Sequence, residues 1–285
     1  MSPTDVRCVL VKIHGIGNQK RNWSRRFDEM LEARLAALPP GKREGYVSES
    51  VWWADLSRLP GMGAPAAAGW APATADVTFA LVQQTYAQYL LADGSTAGGA
   101  PAAFGLPLPN PTKIIAKLKD VVVSAADGAN DVANYVSNNG IRLQVQHRLS
   151  DKLFELHARH PNARLILGSH SQGTIVSYDV LRLNGSQLPR LDAWVTMGSP
   201  LGWYLNVLRW GDAPVGIPTA MTWLNFYDDA DKVGKAVGSL VDWQAPHPQP
   251  QDINVDNRSK GLDPHDHWHN PDVVERYFQL IKGYL

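Results

Sequence analysis

The stretch ARLILGSHSQGTIVSYDVL, residues 163–181, decides the fold of this chain. An apolar run typical of a buried strand leads into the letters SHSQG, and a helical pattern begins directly after them. This order is the context of the motif G-x-S-x-G, whose flanking positions must be small because the turn is tight. Ser169 replaces the first glycine, and Gly173 keeps the second. The sequence therefore predicts that Ser171 is a nucleophile at a helix start, where the Gln172 backbone N–H faces a developing negative charge.

Apolar runs typical of strands alternate with helical patterns along the rest of the chain. This alternation predicts an α/β fold with a mostly parallel central sheet and helices on both faces. The strand candidates are Val6–Ile13, Tyr46–Trp53, Ala163–Leu167, Ala193–Met197, Thr222–Tyr227 and Asp252–Val255. The helices are predicted after a cap at Asn22 or Ser24, around Leu143–His160, directly after Ser171, and after a cap at Asn270.

The texture of the sequence changes between about residues 60 and 142, where Ala, Gly and Pro become frequent. Two apolar stretches there, Val77–Leu91 and Pro111–Val123, have helical patterns. We predict one domain over residues 1–285 that carries this part as a helical, cap-like insertion. Two interpretations of the insertion stay open: it lines an acyl-binding site as a lid, or it covers the core without touching substrate.

The composition excludes several classes of protein. Lys and Arg together number 27, as do Asp and Glu, so the chain lacks the basic excess of a nucleic-acid-binding protein or a polybasic membrane anchor. Its single cysteine, Cys8, lies in an apolar run, which predicts a buried, inert thiol. The first residues lack the pattern of a secretion signal, and no uncharged apolar stretch approaches the ~18 residues that span a bilayer. These features predict a cytoplasmic globular protein with no integral membrane segment.

Four motifs, taken in their order and spacing, resemble the α/β-hydrolase family. They are HGIGNQ at 14–19, SHSQGTIVSYDVL at 169–181, MGSPLGWYL at 197–205 and WLNFYDDADKV at 223–233. Within the family, the likeness is to serine esterases, in particular intracellular lipases and phospholipases such as those with a DDHD domain, although the DDHD letters themselves are absent. The resemblance covers much of residues 6–56 and 143–285. It implies a trimmed hydrolase sheet of about six strands and a Ser-acid-His triad in that chain order.

The loop LVKIHGIGNQKRNW at 10–23 fits two kinds of site, a dinucleotide-binding turn and an oxyanion hole. A dinucleotide site needs a third glycine, but Lys20 stands there, and the next strand candidate carries Trp52 and Trp53. In the hydrolase interpretation, the backbone N–H of Ile16 or of a neighbour pairs with that of Gln172 to form the oxyanion hole. The resemblance implies that His14 braces this loop.

The acid of the triad should follow the next-to-last strand, where the sequence offers Asp228, Asp229 and Asp231. Related lipases have Asp-Pro-Val after this strand, and Asp231-Lys232-Val233 aligns with it. The resemblance therefore favours Asp231 over Asp228, and Asp229 is expected to be a solvated turn residue. The acid would orient the histidine and stabilise the imidazolium without accepting its proton.

The histidine should lie just before the last helix, where LDPHDHWHNPDVV offers His265, His267 and His269. His269 adjoins the predicted cap of that helix, which places it too far from the nucleophile. Trp268 aligns with a family tryptophan that follows the catalytic histidine, so the resemblance favours His265 as base, with His267 as the alternative. Alternating histidines could also suggest a metal site, but they would share one face only in a strand, and here a helix start follows directly.

The function implied by these residues is hydrolysis of carboxylic esters, small or lipid-like, through an acyl-enzyme on Ser171. Such a reaction needs neither a metal nor an organic cofactor. Two alternatives stay open: an acyltransferase with the same triad, in which an alcohol replaces water, and a non-catalytic binding protein with a hydrolase fold. The sequence does not predict the physiological substrate or the oligomeric state.

Overall fold

The computed structural model describes residues 5–15, 19–56, 135, 139–184, 187–202, 204, 222–238 and 249–285. The strands in this part are β1 Cys8–Ile13, β2 Tyr46–Val51, β3 Arg164–His170, β4 Ala193–Met197, β5 Trp223–Tyr227 and β6 Gln251–Asn254. The helices are α1 Arg25–Leu35, α2 Pro40–Arg43, α3 Asn139–Arg159, α4 Gln172–Asn184 and α5 Pro271–Tyr284, and a 3₁₀ turn spans Arg258–Lys260.

The chain divides into two compact units. The first comprises Met1–Ala54 and Val145–Leu285 and contains the whole sheet, and the second is Asp55–Gln144. Nearly all of the predicted insertion at 60–142 lies outside the described residues, including the helical patterns at Val77–Leu91 and Pro111–Val123. The insertion and its two interpretations therefore stay predictions.

All six strands form one parallel sheet in the order β2-β1-β3-β4-β5-β6. This arrangement confirms the prediction of an α/β fold with a parallel central sheet of about six strands. The chain runs from β1 to β2 on one side and returns to β3 on the other side of β1. Ligands of such sheets bind outside the carboxyl ends of the strands where the order reverses, so this topology points to the ends of β1 and β3.

Helices cover both faces of the sheet because side chains alternate along each strand. On one face, Leu10 of β1 and Ile166 of β3 join a core to which α1 contributes Phe27 and α5 contributes Tyr277. On the opposite face, Ser169 of β3 contacts α4 through a hydrogen bond to Ser177. The helices on both faces confirm the predicted layering.

Two sequence predictions need correction. The β3 strand was expected to end at Leu167 but continues to His170, because its backbone pairs with β1 and β4 through these less apolar residues. Ser24 does precede α1, but its hydroxyl does not cap the helix. It donates instead to Asp28 Oδ2 at 2.8 Å and accepts from Lys12 Nζ, a buried ammonium that also pairs with Asp28.

Other local predictions are confirmed. Asn270 caps α5, since its Oδ1 accepts from the Asp272 N–H at 2.8 Å. Cys8 is fully buried in β1, and burial raises the pKa of its thiol to about 12, as expected for an inert cysteine. Among the helices of the described residues, none combines the length and the apolar character that crossing a membrane requires.

Candidate active site

Ser171 forms the turn between β3 and α4, and its backbone has a φ of 53°. A non-glycine residue in this left-handed region costs ~1–3 kcal/mol and persists only where the surroundings enforce it. The Ser171 N–H donates to the Met197 carbonyl at 2.9 Å, which ties the turn to the end of β4. The Ser171 carbonyl accepts from the N–H and from the hydroxyl of Thr174, at 2.9 and 2.7 Å. The turn is therefore a strained elbow that presents one serine at a helix start.

The small residues on either side of the serine are explained by close backbone contacts. A Cβ atom at Gly173 would lie 2.6 Å from the His14 carbonyl oxygen, which belongs to backbone and cannot move aside cheaply. At Ser169, the side chain is fully buried and fits: its hydroxyl lies 2.7 Å from that of Ser177 and accepts from Trp194 Nε1 at 3.1 Å. A serine side chain thus fits at the position where the motif has glycine, because it forms hydrogen bonds there and does not clash.

The loop after β1 lies directly against the nucleophile turn. A Cβ atom at Gly15 would come within 2.6 Å of the Ser171 Cβ, so only glycine allows this approach. The second predicted oxyanion donor, Ile16, lies outside the described residues. Gln172 is the first residue of α4, and backbone N–H groups at such a position have no carbonyl partner within the helix.

His14 braces this loop with both of its ring nitrogens. Its Nε2 accepts from the Trp53 N–H at 3.1 Å, so the proton is on Nδ1, which donates to the Gly15 carbonyl at 2.6 Å. Its ring stacks on the indole of Trp53, with centroids 5.1 Å apart. These contacts support the bracing role expected of His14.

Asp231 and His265 form a hydrogen-bonded pair across 34 residues of sequence, with 2.7 Å between Asp231 Oδ2 and His265 Nδ1. The other carboxylate oxygen accepts from the Val233 N–H at 2.8 Å. Burial alone would raise the pKa of Asp231, but its hydrogen bond to His265, together with the positive charge that this imidazole carries when protonated, outweighs burial and lowers it. The carboxylate stays ionised, which places the proton of neutral His265 on Nδ1 and leaves Nε2 as an acceptor.

Two glycines allow this pair to approach the end of β4. Gly198, directly after β4, has a φ of 53°, and a Cβ atom there would lie 2.9 Å from His265 Cε1. A Cβ atom at Gly234 would lie 2.3 Å from the Gly198 Cα. Because Met197 at the end of β4 also binds the Ser171 N–H, these contacts bring the Asp231–His265 pair beside the nucleophile turn.

The other two aspartates in the loop after β5 have different surroundings. Asp228 is buried and accepts from the backbone N–H groups of Ala230 and Asn257, at 2.7 and 2.9 Å. Asp229 is exposed and accepts from Asn254 Nδ2 at 2.6 Å, as expected for a solvated turn residue. The geometry thus favours Asp231 over Asp228 as the partner of the histidine.

The three histidines before α5 do not converge. His269 Nδ1 hydrogen-bonds Asp266 Oδ2 at 2.9 Å, whereas His267 is fully buried and its Nδ1 lies 3.1 Å from the His265 carbonyl oxygen. A histidine outside this segment joins the group instead: His170, whose Nε2 lies 2.8 Å from the same oxygen. No motif in the sequence gives His170 a role, although it directly precedes the predicted nucleophile.

A ligand nitrogen from each of His170, His265 and His267 lies within 4.8 Å of the other two, a spacing that could hold a metal ion. The hydrogen bonds offer a simpler cause for this spacing. His170 and His267 both point a ring nitrogen at the carbonyl oxygen of His265, and His265 itself bonds Asp231. A shared carbonyl acceptor draws the rings together without a cation.

No protein-family model matches the sequence, and no curated protein matches it either. Among solved structures, the RedJ thioesterase of prodiginine biosynthesis from Streptomyces coelicolor is 12% identical, with 100% of this chain and 93% of that chain covered and a TM-score of 0.41. The catalytic core of acetyl xylan esterase from Trichoderma reesei is 12% identical, with 99% and 100% covered and a TM-score of 0.33. A cutinase from the same fungus is 14% identical, with 92% and 99% covered and a TM-score of 0.27.

Proposed function

We propose that this protein is a serine hydrolase that cleaves carboxylic esters through an acyl-enzyme. One observation carries the proposal: Ser171 stands at a φ of 53° between β3 and α4, and its N–H binds the end of β4, against which the hydrogen-bonded pair Asp231–His265 packs. A strained serine at the sheet's reversal point, next to an imidazole oriented by a carboxylate, is the arrangement that activates a hydroxyl for attack on a carbonyl.

In the proposed reaction, His265 is the base and Asp231 its hydrogen-bond partner. Ser171 Oγ attacks the acyl carbon while its proton passes to His265 Nε2, and Asp231 stabilises the imidazolium without taking the proton. The tetrahedral intermediate collapses as the bond to the alcohol oxygen breaks, and His265 returns the proton to that oxygen. Water then attacks the acyl-enzyme, with His265 again as base, which releases the acid and restores the serine.

The oxyanion of the tetrahedral intermediate needs hydrogen-bond donors close to Ser171. We assign one donor to the backbone N–H of Gln172, at the positive end of α4. The second is the N–H of Ile16 or of a neighbour in the loop after β1. The close approach of Gly15 to Ser171 supports this assignment, because it places the start of this loop against the nucleophile, where a residue with a Cβ atom would clash.

The experiment that tests the function is hydrolysis of a series of p-nitrophenyl esters of increasing acyl length by wild type and Ser171→Ala. Loss of the nucleophile should lower turnover by about 10,000-fold or more without changing the fold. Ser259→Ala, at an exposed serine away from the site, is the matched control and should behave as wild type. An alanine variant at 171 that keeps substantial turnover would exclude the mechanism.

The acyltransferase alternative uses the same residues and differs only in the acceptor. With an added alcohol, the ratio of free acid to transferred ester measures which acceptor the acyl-enzyme prefers. Acid as the main product supports the hydrolase, and ester as the main product supports the transferase.

A further inference from the structure

The segment that carries His265 has little regular structure of its own. Residues 262–270 contain turns but neither helix nor strand, so contacts with the rest of the protein must fix the position of the base. Its side chain is held by Asp231. Its main-chain N–H donates to Asp263 Oδ1 at 2.9 Å, and its carbonyl oxygen lies 2.8 Å from His170 Nε2 and 3.1 Å from both Nδ1 and the backbone N of His267.

The carbonyl dictates which nitrogen of each flanking ring carries a proton. A carbonyl oxygen can only accept, so His170 must be protonated on Nε2 and His267 on Nδ1. Both rings donate as neutral groups. Protein atoms surround the His170 ring even though part of its surface stays accessible, and this desolvation lowers its pKa well below the usual value, while burial also lowers the pKa of His267.

We propose that His170 is a positioning residue, whose Nε2–H holds the main chain of the catalytic base, and that His267 adds a second donor from within the base's own segment. The inference rests on the function proposed above. His170 is the residue directly before Ser171, and its ring lies 4.7 Å from that of His265, centroid to centroid. The elbow that sets the nucleophile therefore also sets the base, and the two groups keep a fixed separation.

Loss of the His170 donor should free the His265 segment while leaving Asp231 and the nucleophile turn in place. A displacement of about 1 Å in a catalytic group can lower turnover by about 100-fold. We expect His170→Ala to lower kcat by about 10- to 100-fold with KM for a small ester unchanged. The effect of His267→Ala should be smaller, because the backbone N–H of that residue still reaches the same carbonyl.

Conservative substitutions separate hydrogen bonding from packing. The amide nitrogen of glutamine matches the position of histidine Nε2, and that of asparagine matches Nδ1. At position 170, Gln should restore most of the lost kcat and Asn should not, whereas at position 267 Asn should restore it and Gln should not. A purely space-filling role would give the same ranking of Asn and Gln at both positions. His269→Gln is the matched control and should keep wild-type kcat, because that ring bonds Asp266 instead.

The ring tautomers provide a second test that needs no variant. Two-bond nitrogen–proton correlation spectra of the wild-type protein should show His170 as the Nε2–H form and His267 as the Nδ1–H form. The opposite form at His170, or equal rescue by Asn and Gln there, overturns the proposal. A change in wild-type turnover on treatment with a chelator also overturns it, since the rings would then hold a cation. Full turnover in Ser171→Ala would show instead that the proposed hydrolase mechanism is wrong. That result distinguishes a failure of the proposed function from a failure of the positioning role.

Discussion

The turn at Ser171 and the segment that carries His265 meet at one end of the sheet, but they are held in different ways. The turn lies between two regular elements and has local contacts as well as distant ones: β3 ends at His170, α4 begins directly after the serine, and Thr174 binds the serine carbonyl, while Met197 binds the serine N–H. The His265 segment is fixed by distant residues, since His170 is 95 residues away and Asp231 is 34. Local patterns can therefore identify the nucleophile, but not the position of the base.

A buried polar network holds the His265 segment on both sides of the histidine. Asn257 is fully buried and donates from Nδ2 to the Pro264 carbonyl at 2.6 Å, while its Oδ1 accepts from Asn270 at 2.7 Å. Its own backbone N–H donates to Asp228. Asp228 thus contributes to the site by holding the neighbouring chain, although it belongs to the same loop as Asp231.

The largest expected effect separates the two histidines of this segment. His265→Ala removes the base and should lower turnover by about 10,000-fold or more at saturating ester. His267→Ala removes only a donor to the His265 carbonyl and should cost about 10-fold or less. Circular dichroism checks that both variants fold. The reverse ranking would move the base to His267.

Substitutions of the two buried aspartates in the loop after β5 should change different quantities: turnover for Asp231 and stability for Asp228. Asp231→Asn should lower kcat by about 10,000-fold with little change in fold, because the amide favours the wrong histidine tautomer. Asp228→Asn replaces the charged acceptor of the Asn257 N–H by a weaker, neutral one. It should therefore lower the free energy of unfolding by ~1–3 kcal/mol. Steady-state kinetics and urea unfolding of both variants measure the two effects. Equal kcat losses would contradict the assignment of the acid.

The nucleophile turn can be tested by its packing. Gly173→Ala forces a Cβ atom to within 2.6 Å of the His14 carbonyl, so we expect a loss of ~1–3 kcal/mol in unfolding free energy. Gly283→Ala is the matched control, since nothing lies within 4 Å of a Cβ atom there and helix α5 should gain up to ~1 kcal/mol. Urea unfolding compares the pair, and an unchanged stability of Gly173→Ala would show that the turn is looser than described.

The smallest expected effect is the pH dependence that the flanking histidines contribute. Desolvation lowers the pKa of His170 and His267, so the unfolded chain binds their protons more readily than the folded protein does. Their stabilisation is complete above the ordinary histidine pKa of 6.5 and is lost as the pH falls below it, by at most about 1.4 kcal/mol per pH unit for each ring. His170→Gln should flatten this slope over the range from about pH 5 to about pH 7, which brackets the ordinary histidine pKa. Urea unfolding at several pH values measures the slope. An unchanged slope would contradict the shift.

The sequence predicts this molecule well where structure is set by local pattern. The strands, the cap at Asn270 and the turn at Ser171 follow from periodicity and from residues a few positions apart. No local pattern indicates a role for His170 or Asn257. The partner of His170 lies far along the chain, and the contact of Asn257 with Pro264 depends on the path of an irregular segment. The sequence predicts Asn22 or Ser24 as the cap of α1, but the Ser24 hydroxyl binds Asp28 and the buried Lys12 of β1 instead, and no pattern within the helix reveals the contact with Lys12.

The most direct test of the account is to identify the residue that forms the covalent bond. Wild-type protein is incubated with an alkyl fluorophosphonate, digested, and the labelled peptide sequenced by mass spectrometry. We expect one label on Ser171, absent in Ser171→Ala and formed much more slowly in His265→Ala, since the serine then lacks its base. A label on another serine, or no label on a folded protein that still hydrolyses esters, would contradict it.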